Sequence, residues 1–502
     1  MVIFAEISVF VKRRKAIKQI GLGLSAGLIM PQFLASCSKV DPGPEVPFDG
    51  IVAIIGAGAA GLYVADILRA KGIEVAIYEA TNQGGGRVKS LRNQIDFQSL
   101  YGSSTLLDFG VDFPLEMGAD TVVGTDSILG KIVSTGQIPT SDLSLASHKY
   151  ILGNQSKSAI EWQSDADFAS AQNFINAVQN YAGADVSVEQ AAAGIASRAQ
   201  GILNSQIGNT YGSSNNRIGI LPLFKAIKKR THDGKMLLPK SNPLQDILLS
   251  RFSLVTPYIK FNTPIKSVNY SGDVILLTDK SGNQFEAKKV IVTVPISIVK
   301  SGAISFSPGL PASMTGSLNK FGMDSSMKFI FDFKKNFWGD GSGFVWGGTT
   351  APQYLNTGVG RSTLSRTLAI TVNGPAAATL SAMTRENQLK AILAELDSVY
   401  AGQASQFLRY TLSDNGVTPA PPVYPIVAVK DWGKDEYAKG GQSYPLPGAT
   451  DDDRVNIGQP INKKLFFAGE ATDVSGDAGT INGALASAER AANEVINSIL
   501  EA

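Results

Sequence analysis

The chain has 502 residues, 44% of them hydrophobic and 18% charged, with a formal net charge of +2. That length exceeds one compact core and predicts two domains of ordinary globular composition; the near-zero charge predicts no nucleic-acid partner. A single cysteine, Cys37, and two histidines, His148 and His232, exclude a disulfide framework and thiolate-based zinc or iron–sulfur sites, so no metal is expected and a cofactor is expected to carry any redox chemistry.

The chain opens on an address. A basic cluster, Lys12-Arg13-Arg14-Lys15, precedes an apolar run from Ile20 to Leu34 that ends in Leu34-Ala35-Ser36-Cys37. A basic end, a short apolar stretch and small residues before a cleavage point predict an export signal. The run falls short of the ~20 residues of a spanning helix, and a membrane anchor helix is the alternative reading. Leu-Ala-Ser-Cys resembles a bacterial lipobox, which implies acylation of Cys37; Arg13-Arg14 resembles a twin-arginine export motif, with Ala16 where a bulkier residue is common. Residues 1–37 are thus expected as a signal and 38–49 as a Pro-rich linker. The expected location is the cell envelope, with a lipid as the only membrane attachment.

Ile51 to Ile55 is a continuous β-branched run, the pattern of a buried parallel strand. Gly56-Ala57-Gly58-Ala59-Ala60-Gly61 follows, then a helical pattern to Ala70, then a second strand from Ile73 to Tyr78 that ends in Glu79. This is a dinucleotide fingerprint: Gly56 makes the turn, Gly58 with Ala59 and Ala60 brings backbone to a pyrophosphate, and Gly61 lets helix and strand pack closely. Glu79 stands where an acid holds ribose hydroxyls. The motif alone does not separate NAD from FAD.

Three later segments do. Glu79-Ala80 leads to Gly85-Gly86-Arg87; Thr263-Pro264-Ile265 precedes the strand Lys289 to Val294; and Leu465-Phe466-Phe467-Ala468-Gly469-Glu470 continues through Thr480-Ile481-Asn482-Gly483-Ala484 into a helix to Ile499. In this order and spacing the chain resembles the flavin amine oxidases (monoamine oxidase, polyamine oxidase, L-amino-acid oxidase and lysine-specific histone demethylase) from residue 50 to the end. The resemblance implies an α/β fold, with a discontinuous Rossmann-like FAD-binding domain (50–120, 241–300 and 450–502) and an inserted α+β substrate-binding domain (121–240 and 301–449). In the inserted pieces, apolar spacing predicts helices over 165–181 and 186–204 and near 385–399, and a strand over 327–333.

The resemblance also implies site residues. Lys328, ten residues before Trp338, matches the lysine that holds a water at flavin N5. Strand alternation taken alone would place Lys328 on an exposed face. Gly118, Ala119, Ile265, Trp432, Gly469, Glu470, Thr480, Ile481 and Ala484 join the cofactor set. Gln442 or a neighbour stands where monoamine oxidase links its flavin through cysteine, so FAD is expected to be non-covalent. Ser443 and Thr480 stand at the positions of the amine-caging tyrosines, and Tyr444 is the candidate to rebuild that cage. Thr121 stands where amino-acid oxidases carry an arginine for the substrate carboxylate, and Asp120 beside it is either an attractor of a cation or a turn residue.

The implied reaction removes a hydride from the carbon beside a neutral amine. Imine hydrolysis and reoxidation by O2 to peroxide would follow. Two alternatives keep the fold: a desaturase-like oxidation of an isoprenoid or tetrapyrrole, and a non-catalytic FAD-binding lipoprotein.

Overall fold

The computed structural model describes residues 44–91, 95–96, 106–107, 109–363, 365–411 and 424–501. Cys37 and the signal segment lie outside them. Five parallel strands form the first sheet: β1 (Ile51–Ile55), β2 (Glu74–Tyr78), β3 (Ile259–Lys260), β4 (Lys289–Val292) and β5 (Leu465–Phe467). Their order across the sheet is β3-β2-β1-β4-β5. Val52 to Ile55 are buried because both faces of β1 are covered, as a parallel strand's continuous apolar run requires.

Helix α1 (Ala59–Ala70) packs in one core with α2 (Ile481–Leu500), whose buried Leu485, Ala488, Ala492 and Val495 recur at helical spacing. Small residues dominate that stripe, which lets the two helices approach closely. Every strand of the sheet ends, at its C-terminal edge, in a residue or turn that faces one cleft. That is where open α/β sheets bind ligands.

A second, seven-stranded sheet is mixed. It runs from Gln155–Ser158 at one edge through Ser147–Leu152, Ser342–Trp346, Gln353–Asn356 and Thr367–Asn373 to Ser326–Asp332 and Val427–Asp431 at the other. All seven residues of Ser326–Asp332 are buried. The sheet is covered on both faces, so alternation does not send Lys328 to solvent as the strand pattern alone predicts.

Three expectations need correction. Residues 186–204 are not one helix but short pieces, Val188–Ala191, Ser197–Ala199 and Gln200–Leu203, followed by a π turn over Asn204–Asn209. Gly194 interrupts the pattern, and burial of Ala192, Ala199 and Ile202 holds the pieces in place. The expected boundary at residue 300 falls inside a layer: Ser305–Ser307 pairs with Ile265–Asn269, and Leu318 and Phe321 share a core with Ile265 and Leu465. The linker's last residues are not a free tether, since Val46 is buried and its N–H donates to Lys71 O at 3.0 Å. No helix among the described residues is long and apolar enough to cross a membrane.

Candidate active site

The C-terminal edge of the first sheet opens on a cavity of ≈ 850 Å³ that extends from the glycine turn to the second sheet. Every residue expected at the cofactor lines it, except Gly61. Gly61 acts behind the wall: a Cβ there would stand 1.9 Å from Gly56 O, so only glycine lets α1 start so close to β1. Gly56 itself has φ +108°, a turn that side chains rarely adopt.

Gly58 is the N-cap of α1 and offers no side-chain cap, and no acid occupies the first turn. The orphan amides of that turn and the positive end of the helix therefore face the cavity free for a diphosphate. A Cβ at Gly58 would meet nothing within 4 Å, which marks open space against the backbone. Glu79, at the end of β2, accepts from Ala57 N–H at 2.8 Å and Thr81 N–H at 2.9 Å, so its carboxylate is oriented before any ribose arrives. Gly118 supports the same region, because a Cβ there would lie 1.8 Å from Arg87 O.

Arg87 and Glu470 are both expected at the cofactor. They meet as an ion pair at 2.8 Å. Glu470 also accepts from Ser443 Oγ at 2.6 Å and Gly479 N–H at 2.8 Å. Burial raises the Glu470 pKa, but the Arg87 charge and the Ser443 hydrogen bond outweigh it and hold the carboxyl below its ordinary value. Thr480 caps α2 by accepting from Gly483 N–H at 3.1 Å. The first-turn amides of α2 thus end at the cavity wall, where Ile481 and Ala484 also lie.

Ser443 and Tyr444, expected at the substrate, do not line the cavity. Ser443 is the prop of Glu470. Tyr444 is fully buried, donates to Asp324 at 2.7 Å and accepts from Arg217 at 2.8 Å. Of the three expected substrate residues, Thr480 alone faces the cavity.

Lys328 lies at the junction of the two sheets. Its side chain is 2% exposed, its Nζ is ion-paired with Asp120, and it donates to Thr371 Oγ1 at 2.8 Å. Asp120 is thus no simple turn residue: the cation it attracts is Lys328. Trp432 closes the same region, its indole N–H donating to Met117 O at 2.9 Å and its ring 4.7 Å from Lys430 Nζ. The rest of the wall comes from the second sheet and the π turn: Phe344, Trp346, Gln353 and Asn373 from strands, Gln206 and Asn209 from the turn. Sequence reasoning missed these six. Their strands read as plain β-structure, and only the sheet's packing turns them toward the cleft.

An elongated cavity, an uncapped helix start, a pre-oriented acid at a second strand end and a second helix N-terminus fit FAD. Gly58, Glu79 and Ile265 would hold its adenosine diphosphate part, and Arg87, Glu470 and the start of α2 its flavin side. The residues present therefore suit a flavin dinucleotide. Residues 251–496 match the family described as flavin containing amine oxidoreductase, and residues 54–116 match an NAD(P)-binding Rossmann-like domain. Residues 251–496 are thus similar to the flavin-containing amine oxidoreductases.

Among curated relatives, the chain is 23% identical to lysine-specific histone demethylase 1 homolog 3 of Arabidopsis thaliana, over 90% of this chain and 30% of that protein. It is 25% identical to polyamine oxidase 2 of the same plant, over 90% of this chain and 89% of that protein. The chain therefore spans only part of the demethylase and most of the oxidase. The structure of a putrescine oxidase bound to putrescine superposes with a TM-score of 0.70 at 17% identity, covering 90% of this chain and 99% of that one. At that identity the match bears on the fold alone.

Proposed function

We propose that the protein is an FAD-dependent amine oxidase acting on a small amine, with O2 as the electron acceptor. The observation that carries this reading is the buried Lys328–Asp120 pair in a cavity continuous with the dinucleotide cradle. When bound, FAD supplies the two-electron acceptor: a hydride leaves the carbon beside a neutral amine, the imine hydrolyses to a carbonyl compound, and O2 takes up the electrons to give hydrogen peroxide.

The protein's own contribution is positional. Lys328, fixed by Asp120 and Thr371, offers a directed N–H to a water or to the substrate nitrogen. Trp432 and the second sheet exclude bulk water. The start of α2 presents backbone amides where negative charge accumulates on reduction. None of these roles needs a cysteine or histidine nucleophile.

The test is an anaerobic titration of the purified protein lacking the first 37 residues. Bleaching of the flavin absorbance by an amine, restored by air with release of peroxide, is the expected result. A yellow protein that no amine bleaches would remove the reading, and reoxidation by an added quinone but not by air would remove O2 as acceptor.

We further propose export and acylation at Cys37, on the basic and apolar pattern that precedes it. Cys37→Ser should move the protein from the membrane fraction to the soluble one, and an unchanged distribution would count against the anchor.

A further inference from the structure

The cavity's carboxylates are all engaged. Asp120 is paired with Lys328, Glu470 with Arg87, Asp435 with Lys430 and Glu436 with Lys280, while Glu79 accepts two backbone amides. Lys89 and Lys439 also line the cavity, as does Arg230, which is paired with Asp477, so the lining bases outnumber the lining acids. That balance suits the diphosphate of a dinucleotide. It does not suit a ligand with several positive charges.

The part of the wall away from the dinucleotide cradle is neutral and flat. Phe344 and Trp346 stack with ring centroids 5.2 Å apart and 12° between planes. His148 backs Trp346 at 4.8 Å, and burial lowers its pKa, which keeps it uncharged at neutral pH. In the same lining, Asn209 Oδ1 accepts from Asn373 N–H at 2.8 Å, and its amide donates to Thr371 O at 3.0 Å. These amides largely satisfy one another. Gln206 Oε1 is buried without a partner, so one acceptor remains in this neutral wall.

We infer that the substrate is a monoamine whose single basic nitrogen sits at Lys328 and whose uncharged cyclic or aromatic body lies against Phe344 and Trp346, and that diamines and polyamines are poor substrates. This rests on the amine oxidase reading above and narrows it. A second ammonium drawn toward the neutral wall would find, among the described residues lining the cavity, no carboxylate free of a cation except Glu79, which lies at the dinucleotide end, and it would stand near the Lys328 cation. An unpaired buried charge is far costlier than a buried ring. An aromatic body, by contrast, gains area and ring geometry from the stacked pair.

The experiment is anaerobic stopped-flow reduction of the FAD-loaded protein by benzylamine and 2-phenylethylamine against 1,4-diaminobutane and spermidine, with substrate binding followed separately by perturbation of the oxidised flavin spectrum. The monoamines should be favoured at least about tenfold in reduction rate over dissociation constant. Gln353→Glu, which adds a carboxylate to the neutral wall, should move that ratio about tenfold toward 1,4-diaminobutane. Diamines that reduce the flavin as well as monoamines would overturn this inference and leave the amine oxidase reading standing. An unchanged ratio in the Gln353→Glu protein would overturn the electrostatic argument. Reduction by no amine would overturn both readings together.

Discussion

The Lys328–Asp120 pair is the residue on which stability and chemistry meet. Lys328 is 2% exposed, and Asp120 is its one carboxylate partner among the described residues. Removing one member of a buried pair costs about 3–5 kcal/mol because a charge is stranded, whereas replacing both costs much less. Asp120→Asn should therefore destabilise the protein by about 3 kcal/mol, and Asp120→Asn with Lys328→Met should recover much of that, as read by urea denaturation. Equal losses in the single and double variants would mean that the pair is not coupled. Glu116, four residues before Asp120, is a different case. Burial raises its pKa from 4.5 to about 7, against hydrogen bonds from Leu244 N–H and the Ser90 hydroxyl. Between those values the folded protein holds a proton that the unfolded chain has released, so stability falls as pH rises from 4.5 to about 7. Above that range the penalty is complete, on the order of 3 kcal/mol. Glu116→Gln should accordingly raise the melting temperature at pH 8 and leave it nearly unchanged at pH 4. A gain of equal size at both would contradict the assignment.

At the scale of elements, the two glycines of the first turn separate binding from folding. A Cβ at Gly58 meets nothing and its φ is −78°, so Gly58→Val should fold normally yet block the diphosphate. The expected result is a native circular dichroism spectrum with FAD retention reduced at least about tenfold. A Cβ at Gly61 would collide with Gly56 O, so Gly61→Ala should instead lower the yield of folded protein. If Gly58→Val kept its flavin, the cradle would have to lie elsewhere. These elements were legible in the sequence because fixed backbone needs demand glycine there, and because α2 repeats its small buried residues at helical spacing. The broken segment over residues 186–204 was not legible, since its apolar spacing suits a helix and tertiary packing cuts it into pieces. Tyr444 misled for a related reason: its position suggested a substrate contact, but its hydroxyl is bonded to Arg217 and Asp324 outside the cavity.

At the scale of the molecule, the dinucleotide cleft is built from chain segments far apart in sequence, around Gly56–Arg87, Ile265–Ile304 and Gly469–Ala484. A ligand that spans all three stabilises the folded state by mass action, by about 2.7 kcal/mol at a hundred times its dissociation constant. The melting temperature of the flavin-free protein should thus climb with added FAD, while adenosine, which reaches only one end, should raise it far less. Equal effects would show that the flavin end contributes little. Order and spacing of the three motifs disclosed this assembly from the sequence. The neutral wall of Phe344, Trp346 and the amides stayed hidden, because which face of those strands is turned inward depends on the covering of a whole sheet. Local pattern does not record that.

In the proposed function, Lys328 serves hydride removal from an amine in a cavity shared by both sheets. The most direct measurement is the rate of anaerobic flavin reduction by benzylamine in the Lys328→Met protein, with bound FAD quantified in the same sample. Full flavin content with reduction slowed by about a hundredfold or more is expected. A variant that keeps its FAD and is reduced at the unaltered rate would contradict it.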